Sequence, residues 1–276
     1  MNTLRCLFII FLVINSISCI TSINPIYRND DRFESGITIP EWFIHKPQMK
    51  GIKLVYAYSA NYLDRKKEQE TLLLSAAKNF ELQKQTHIVV LQNVKKYSGF
   101  YSGGEYVREL EPELNTNNLT DKYSIISRYK DTKWILAIVA EKEHLKQNPT
   151  IKTNQRLKNL YHTSPPKWAK RPPVQRGFIY GVGLATGYCS PEGAWIVAEQ
   201  NARADIALQR TITIYSENRS VQILDFVSSG TESKAICNVF LKNVSIIKHG
   251  YCSANNTYYA LARMAEKDAV ALIKSD

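Results

Sequence analysis

The sequence lacks the motifs on which most enzymes and metal proteins depend. Its five cysteines include no Cys-x-x-Cys pair, so a zinc knuckle or a thioredoxin-type motif is not indicated. The five histidines occur singly, without a His-Glu-x-x-His segment, and there is no Gly-x-Ser-x-Gly segment. We therefore expect no enzymatic activity, no metal and no cofactor.

Long apolar runs are also scarce, and the one that stands out lies near the N-terminus. Residues 6–14 are uninterrupted apolar residues that follow a single positive charge at Arg5. Such a run is too short for a membrane-spanning helix and is typical of a secretory signal peptide. Small residues then follow, up to Ser18. We expect residues 1–18 to be a signal peptide that directs the chain out of the cytoplasm.

Cys19 directly follows a small residue at the end of this segment, which resembles the lipobox of bacterial lipoproteins. In those proteins the cysteine is acylated and becomes the first mature residue. Ser16 stands where leucine is usual, and Ser16 and Ser18 would also suit an ordinary signal-peptidase site. We predict lipidation of Cys19, which would anchor the chain in the outer membrane or on the periplasmic face. A secreted protein is the alternative.

Three cysteines remain besides Cys19. They are Cys189, Cys237 and Cys252. In an oxidising compartment an odd number leaves one thiol unpaired. A disulfide between two of them is a candidate, and the spacing does not select the pair.

Acidic residues are fewer than basic ones, 25 against 36, and the net charge is +11. A basic surface attracts the phosphates of nucleic acids or of anionic lipids. The basic residues are scattered, however, and pairs such as Lys66 with Lys67 and Lys95 with Lys96 are the densest runs. The pattern favours a generally solvated surface, so we expect no specific nucleic-acid partner.

A spaced pattern of proline, tryptophan and glycine occurs twice in the sequence. Residues 40–51 read PEWFIHKPQMKG and residues 166–177 read PKWAKRPPVQRG, with the two prolines, the tryptophan and the glycine at the same spacing. A short apolar strand follows each segment, beginning at Ile52 and at Phe178, and a helix follows each strand. The chain therefore begins the same order of elements twice.

The two predicted helices and the strands after them also correspond. Helix positions separated by 122 residues match in the pairs Leu73 and Trp195, Ala76 and Ala198, Asn79 and Asn201, and Phe80 and Ala202. A β-branched strand then begins at Thr86 and at Thr211. Each copy ends in two strands, which read KYSIISRY and WILAIVA in the first copy, and CNVFLKNVSIIKHG and YYALARM in the second.

These correspondences predict an α+β fold made of two tandem repeats. Each repeat is an antiparallel sheet packed by one main helix, in the order strand-helix-strand-strand-strand. The predicted segments are a signal peptide at 1–18, an N-terminal tether at 19–39, a first domain at 40–145, a linker at 146–165 with a partly helical stretch at 154–161, and a second domain at 166–276.

The second copy contains GFIYGVGLATGYCSPEGAWIVAEQNARADIALQRTITI and, near its end, YYALARM. Over residues 166–266 it resembles the LPP20 family of bacterial lipoproteins and the related N-terminal domain of the flagellar T-ring protein. The first copy carries the likeness more weakly, because Tyr56-Ala57-Tyr58 replaces the Gly-Val-Gly of residues 181–183. The resemblance implies an envelope-anchored module that binds or assembles, and it brings no catalytic residues.

Two further patterns are interpreted as structural. Gly181, Gly183 and Gly187 lie between a strand and a helix, but the third glycine is displaced from the dinucleotide-binding pattern. We interpret them as glycines that allow a tight turn into the helix. Trp42 and Trp168 are each expected to fill the open edge of a core.

Acidic residues alternate near a Tyr-Ser-Gly-Gly segment. They are Glu105, Glu109, Glu111 and Glu113. Catalytic acid–base carboxylates would need a cleft that the sequence does not disclose. We interpret these residues as a solvated loop face.

The preferred function is a non-enzymatic cell-envelope lipoprotein that acts as a tandem interaction or assembly module. It would be anchored in the membrane through Cys19 and would bind an envelope protein, while the oligomeric state is left open. The alternative is a secreted hydrolase or ligand-binding protein that uses the cleft between the two domains. A third idea, adhesion to anionic polymers, rests on net charge alone.

Overall fold

The computed structural model describes residues 37–49, 51–97, 100–132, 134–145, 153, 155–160, 162–187, 190–217, 225–228 and 231–272. The predicted signal peptide, Cys19 and most of the predicted tether lie outside these residues, and so does Cys189.

The described chain contains two long helices, four short ones of four residues each, and antiparallel strands. The helices are α1 (Glu41–Ile44), α2 (Arg65–Lys84), α3 (Leu119–Lys122), α4 (Lys142–Leu145), α5 (Lys167–Lys170) and α6 (Pro191–Glu217). The strands are β1 (Ile37–Pro40), β2 (Leu54–Ala60), β3 (Gln85–Tyr97), β4 (Phe100–Glu109), β5 (Tyr123–Lys130), β6 (Trp134–Glu141), β7 (Leu157–Leu160), β8 (Phe178–Thr186), β9 (Asp225–Ser228), β10 (Thr231–Lys242), β11 (Ser245–Cys252), β12 (Thr257–Ala265) and β13 (Ala269–Leu272).

Two three-stranded sheets have the same strand order. In β2–β6–β5 and in β8–β12–β11, an early strand lies at one edge, a later strand lies in the middle, and the strand just before it lies at the other edge. Every strand pair in both sheets is antiparallel. The expected α+β class is confirmed.

A third sheet joins the N-terminal and C-terminal parts of the described chain. Strands β3 and β10 pair antiparallel, from Val94 opposite Glu232 to Gln85 opposite Lys242. Strand β4 continues the sheet beyond β3, while β13 and β9 both pair with β10. Strand β4 had no counterpart among the sequence predictions.

Strand β2 is buried on both faces, and its alternating side chains divide two hydrophobic clusters. Val55 and Ala57 face α2 and pack with Ala76. Tyr56 and Tyr58 point the other way, into a larger cluster that also contains residues of α6. The β2–β6–β5 sheet therefore lies between α2 and the core around α6.

Helix α6 lies very close to β8 because two strand positions are glycines. A Cβ atom at Gly181 would stand 2.1 Å from the carbonyl oxygen of Ala202, and one at Gly183 would stand 1.9 Å from that of Ala198. The interpretation of these two glycines as turn residues was therefore wrong, since they permit close helix–strand packing. Gly187, with φ of +73°, occupies the left-handed conformation that a turn needs.

The predicted strand that begins at Thr211 was wrong over its first seven residues, which continue α6 to Glu217. The Thr211 hydroxyl donates to the Ala207 carbonyl one turn back, at 2.9 Å, and lies 3.2 Å from the sulfur of Cys237 on β10. Packing against β10 therefore overrides the strand preference of the β-branched run.

Two other local predictions also differ from the structure. Residues 237–250, predicted as one strand, are divided between β10 and β11 by a turn at Asn243, whose φ is +54°. Within the predicted linker, Leu157–Leu160 form β7 instead of part of a helix, because they pair with β1. Pairing with a distant segment supplies hydrogen bonds that local sequence does not reveal.

The two tryptophans of the repeated segments differ in burial. Trp42 is 1% exposed and belongs to the larger hydrophobic cluster, as expected. Trp168 is only half-buried. Its ring lies edge-on to that of Tyr259, with the centroids 6.5 Å apart. It also packs so close to Gly250 that a Cβ atom added there would lie 3.2 Å from the ring. Trp168 therefore covers the outer side of a sheet instead of filling a core.

Candidate functional site

Five ionisable side chains meet in the interior where α6 passes beside β2, β4 and β11. This buried charge cluster consists of Tyr58, Glu109, Glu199, Arg203 and His249, each no more than 9% exposed. The four-residue spacing on α6 places two of the members on one helix face. Burial of so many charges is unusual unless each is paired.

His249 has an acceptor at both ring nitrogens. Its Nδ1 lies 3.0 Å from the carbonyl oxygen of Phe43, and its Nε2 lies 2.8 Å from Oε1 of Glu199. A carbonyl oxygen only accepts, so Nδ1 carries a proton, and the short contact at Nε2 requires a second proton between ring and carboxylate. His249 therefore links the Phe43 carbonyl to the buried carboxyl group of Glu199.

Glu199 also accepts a short hydrogen bond from the hydroxyl of Tyr58. Burial raises the pKa of Glu199, but the hydrogen bond and charge of His249 and the charge of Arg203 lower it by more, so the pKa lies below its usual value. Burial and the charge of Glu199 raise the pKa of Tyr58 well above its usual value. Glu199 is therefore held ionised and Tyr58 is held neutral.

Arg203 and Glu109 form the second pair of the cluster. The Nε and Nη2 groups of Arg203 donate to the two oxygens of Glu109 at 2.6 and 2.8 Å, and Thr86 donates to Oε1 at 2.9 Å. Nη1 of Arg203 lies 3.9 Å from Oε2 of Glu199. Burial lowers the pKa of Arg203, but Glu109 more than offsets this, so the pKa is raised. The cluster thus contains two linked pairs, Glu109 with Arg203 and Glu199 with His249.

The interpretation of the four glutamates as a solvated loop face was wrong for Glu109. Glu109 is the last residue of β4 and is 9% exposed, because Arg203 draws its carboxylate inward. Glu105 also lies within β4, whereas Glu111 and Glu113 are exposed. Glu111 pairs with Lys78 at 2.6 Å.

Aromatic rings pack around the His249 end of the cluster. The ring of Phe43 stacks on His249 with centroids 4.1 Å apart, and Tyr56 and Trp195 approach the imidazole edge-on at 4.6 and 6.1 Å. A dry surrounding strengthens hydrogen bonds between charged groups. The same surrounding makes any unpaired charge costly.

Among the buried charged residues of the described chain, Lys46 is the one that has no partner of opposite charge in contact. It is 9% exposed, and its Nζ donates to the carbonyl of Leu54 at 2.9 Å. Within the described chain no carboxylate lies in ion-pair contact with it. Burial lowers the pKa of Lys46 to about 7, with Glu199 acting the other way and Arg263 adding to the lowering. A cavity of about 20 Å³, large enough for one water, lies beside the amine.

A larger cavity of about 190 Å³ opens between α2 and α6. It shares Asn79, Glu199 and Arg203 with the small cavity beside Lys46. Its lining combines polar groups with apolar ones such as Leu82 and Ile196. We call this space the inter-helix cleft; a small polar molecule would fit there.

The cysteines predicted as site residues do not gather into one place in the described chain. Cys237 and Cys252 are both free thiols, 2% and 1% exposed. Burial raises the pKa of Cys237, although the Thr211 hydroxyl lowers it slightly. Cys19 and Cys189 lie outside the described residues, so lipidation and a disulfide that involves Cys189 stay predictions.

The described residues contain no helix long and apolar enough to cross a membrane. They also contain no group of three or more histidine, cysteine, aspartate or glutamate side chains that could hold a metal ion.

None of Glu199, Arg203 and His249 stands out in the sequence as a site residue. One signal was available, because Trp195, Glu199 and Arg203 follow one another at four-residue spacing. Two charges on the same helix face as a core tryptophan predict a buried polar contact. The partners of these charges come from distant strands and could not be read from the same pattern.

Comparison of the chain with protein-family models, with curated proteins and with solved structures gives no match. The resemblance to the LPP20 family therefore stays a prediction.

Proposed function

We propose that the protein is a non-enzymatic cell-envelope lipoprotein, a tandem interaction or assembly module held at the membrane through Cys19. The observation that carries the proposal is that the buried charge cluster satisfies itself. Glu199 pairs with His249, and Glu109 pairs with Arg203, so these groups have their partners inside the fold. Side chains committed in this way suit a rigid binding scaffold better than a reaction centre, which needs a group free to exchange protons with a substrate.

The proposal includes the origin of the module by duplication. The common strand order of the two three-stranded sheets supports it. So do two asparagines separated by 122 positions, because each donates from a helix to a strand carbonyl at 2.8 Å, Asn79 to Tyr56 and Asn201 to Leu184. The likeness of the second copy to LPP20 lipoproteins agrees with this origin.

Metabolic labelling with a fatty acid, combined with detergent-phase partitioning, tests the anchor. The natural chain is expected to take up label and to enter the detergent phase, and Cys19→Ala is expected to do neither. Cys6→Ala, which changes the other cysteine of the N-terminal segment, is the matched control and should keep both properties. Label that persists in Cys19→Ala would rule out this anchor.

Crosslinking in the native envelope, followed by identification of the captured protein, tests the binding role. We expect one envelope protein to be captured reproducibly, and to be lost when the fold is destabilised by Trp42→Ala. A chain that crosslinks to no envelope protein would argue against an assembly module.

The inter-helix cleft supports one alternative, the binding of a small polar ligand in an exported protein. Ile196 lines the cleft and is 42% exposed, so Ile196→Trp should fill the space without disturbing the core. Native mass spectrometry of protein purified from its host would then show bound mass in the natural chain and in Leu184→Trp, a control outside the cleft, but not in Ile196→Trp. Absence of bound mass from all three would remove this alternative.

A further inference from the structure

Helix α5 and the segment after it, residues 167–176, carry a group of basic residues on the surface, and we call this range the basic loop. Its cations are Lys167, Lys170, Arg171 and Arg176. The sequence from residue 163 to residue 191 contains no aspartate or glutamate. All residues from 171 to 176 are exposed, so these charges face solvent.

An apolar side chain stands at the centre of this basic loop. Val174 is 102% exposed, which means that its side chain makes no contact with the rest of the fold. It follows Pro172 and Pro173, which fix the backbone and lower the entropy lost on binding. A valine presented in this way between cations suits a lipid bilayer, which has an apolar interior and, where its lipids are anionic, a negatively charged headgroup layer.

Hydrogen bonds constrain the basic loop on both sides of Val174. The amide of Arg171 donates to the carbonyl of Lys167 at 3.0 Å. Gln175 accepts twice, at its carbonyl oxygen from the amide of Phe178 at 3.1 Å and at its side chain from the hydroxyl of Tyr180 at 2.8 Å. Val174 is therefore held outward by hydrogen bonds on either side of it.

The acidic residues joined to the end of the loop by a backbone hydrogen bond do not cancel its charge. The amide of Glu266 donates to the carbonyl of Gly177 at 3.0 Å, which brings Glu266, Lys267 and Asp268 close to the C-terminal end of the loop. These three residues carry one net negative charge against four positive charges in the loop. The surface keeps a positive charge and complements anionic headgroups.

We propose that the basic loop docks on anionic phospholipid headgroups, with Val174 entering the headgroup layer. The inference depends on the proposed function in one respect, the expectation that the protein is held close to a membrane. A tether at Cys19 would hold the protein near the bilayer, and the basic loop would then fix which face of the protein turns toward it.

Co-sedimentation with vesicles tests the inference in the absence of any acyl chain. The protein is produced from residue 19 onward with Cys19→Ala, and is mixed with vesicles of phosphatidylcholine with or without phosphatidylglycerol. We expect binding only to the vesicles that contain phosphatidylglycerol. The double variant Arg171→Gln/Arg176→Gln should weaken this binding about 25-fold, at about fivefold for each charge. Val174→Asp should also weaken it at least tenfold.

A charge-matched control separates docking by this loop from attraction to the basic chain as a whole. Arg65 and Lys66 are two exposed cations at the start of α2. Arg65→Gln/Lys66→Gln has the same net charge as the loop double variant, and it should bind the vesicles within about twofold of the parent. Circular dichroism of each variant confirms that the fold is kept.

Three results would overturn the inference. They are no binding to either kind of vesicle, an equal loss in the loop and control variants, and unchanged binding by Val174→Asp. Binding to double-stranded DNA is measured in the same way. If DNA bound as tightly as the vesicles, and if Val174→Asp changed neither DNA binding nor vesicle binding, the loop would be a general polyanion site. Failure here leaves fatty-acid labelling at Cys19 unaffected, and failure of labelling leaves vesicle binding unaffected, so the two proposals can fail separately.

Discussion

The two Pro-x-Trp segments share their spacing but lie in opposite surroundings. The first places Trp42, Phe43 and Lys46 inside the molecule, each no more than 9% exposed. The second leaves Trp168 half-buried and Val174 in solvent. The shared prolines and tryptophan therefore do not set burial. The residues between them do, since Phe-Ile-His-Lys follows Trp42 whereas Ala-Lys-Arg-Pro follows Trp168.

The two long helices show the opposite arrangement. Helix α2 belongs to the part with the buried segment, yet it covers only one face of its sheet. Helix α6 belongs to the part with the exposed segment, and it lies in the core with residues from both parts of the chain around it. The interior is thus built from the first Pro-x-Trp segment and the second helix. Elements that correspond in sequence order therefore differ in burial and in packing partners between the two parts.

The largest expected effect comes from the two tryptophans. Trp42→Ala should lower the free energy of unfolding by about 3–5 kcal/mol, because it leaves a large cavity in the core. Trp168→Ala should lower it by about 1 kcal/mol, since that ring is half-solvated. Urea denaturation measures both values. Equal losses would break the distinction between a buried and a surface segment.

A second comparison uses a buried glutamate on each long helix. Glu199→Gln should lower the free energy of unfolding by about 3 kcal/mol or more, because it removes a buried carboxylate that contacts both Arg203 and His249. Glu68 is 1% exposed, but its partners Arg128 and Lys130 are 47% and 44% exposed. Water can solvate those cations, so Glu68→Gln should lower the free energy of unfolding by about 1 kcal/mol. A larger loss for Glu68→Gln would mean that α2, not α6, carries the more tightly coupled charge.

A third comparison concerns the dependence of stability on pH. Lys46 in the folded chain loses its proton at about pH 7, while in the unfolded chain a lysine keeps it to near pH 10.4. The unfolded state therefore binds more protons in this window, and the free energy of unfolding should rise with pH from about 7 to 10, by at most about 1.4 kcal/mol for each pH unit.

Lys46→Met should remove this rise. It should also raise the free energy of unfolding at neutral pH by a net value of about 1–3 kcal/mol, which already subtracts the lost hydrogen bond to Leu54. Arg171→Met, at an exposed position of the second segment, should leave the pH dependence unchanged. Denaturant titrations at several pH values give both results. A rise that survives in Lys46→Met would assign it to another group.

Local sequence was sufficient to predict most individual elements. The stripe of Leu73, Ala76 and Phe80 predicted a helix that packs on a sheet, and all three residues are buried. The apolar run from Trp134 predicted β6, whose seven residues to Ala140 are all buried. The stripe has the period of a helix, and an uninterrupted apolar run of this length is typical of a strand buried on both faces.

Contacts between distant segments were beyond the same reasoning. The pairing of β3 with β10 depends on how the two parts meet, and the turn at Asn243 matters only once both strands are in place. His249 looks like a lone histidine because its partners are 50 and 206 positions away, at Glu199 and Phe43. A buried charge is recognised by its partners, and sequence spacing does not identify partners in another sheet.

Native-state hydrogen exchange on the central strands β6 and β12 tests most directly whether the two parts share one interior. The amides of both strands should exchange through the same opening, with equal free energies, and Glu199→Gln should lower the two values by the same amount. If Glu199→Gln lowered protection in β12 alone and left β6 at its original value, the two parts would be independent domains, and the interior described here would not hold them together.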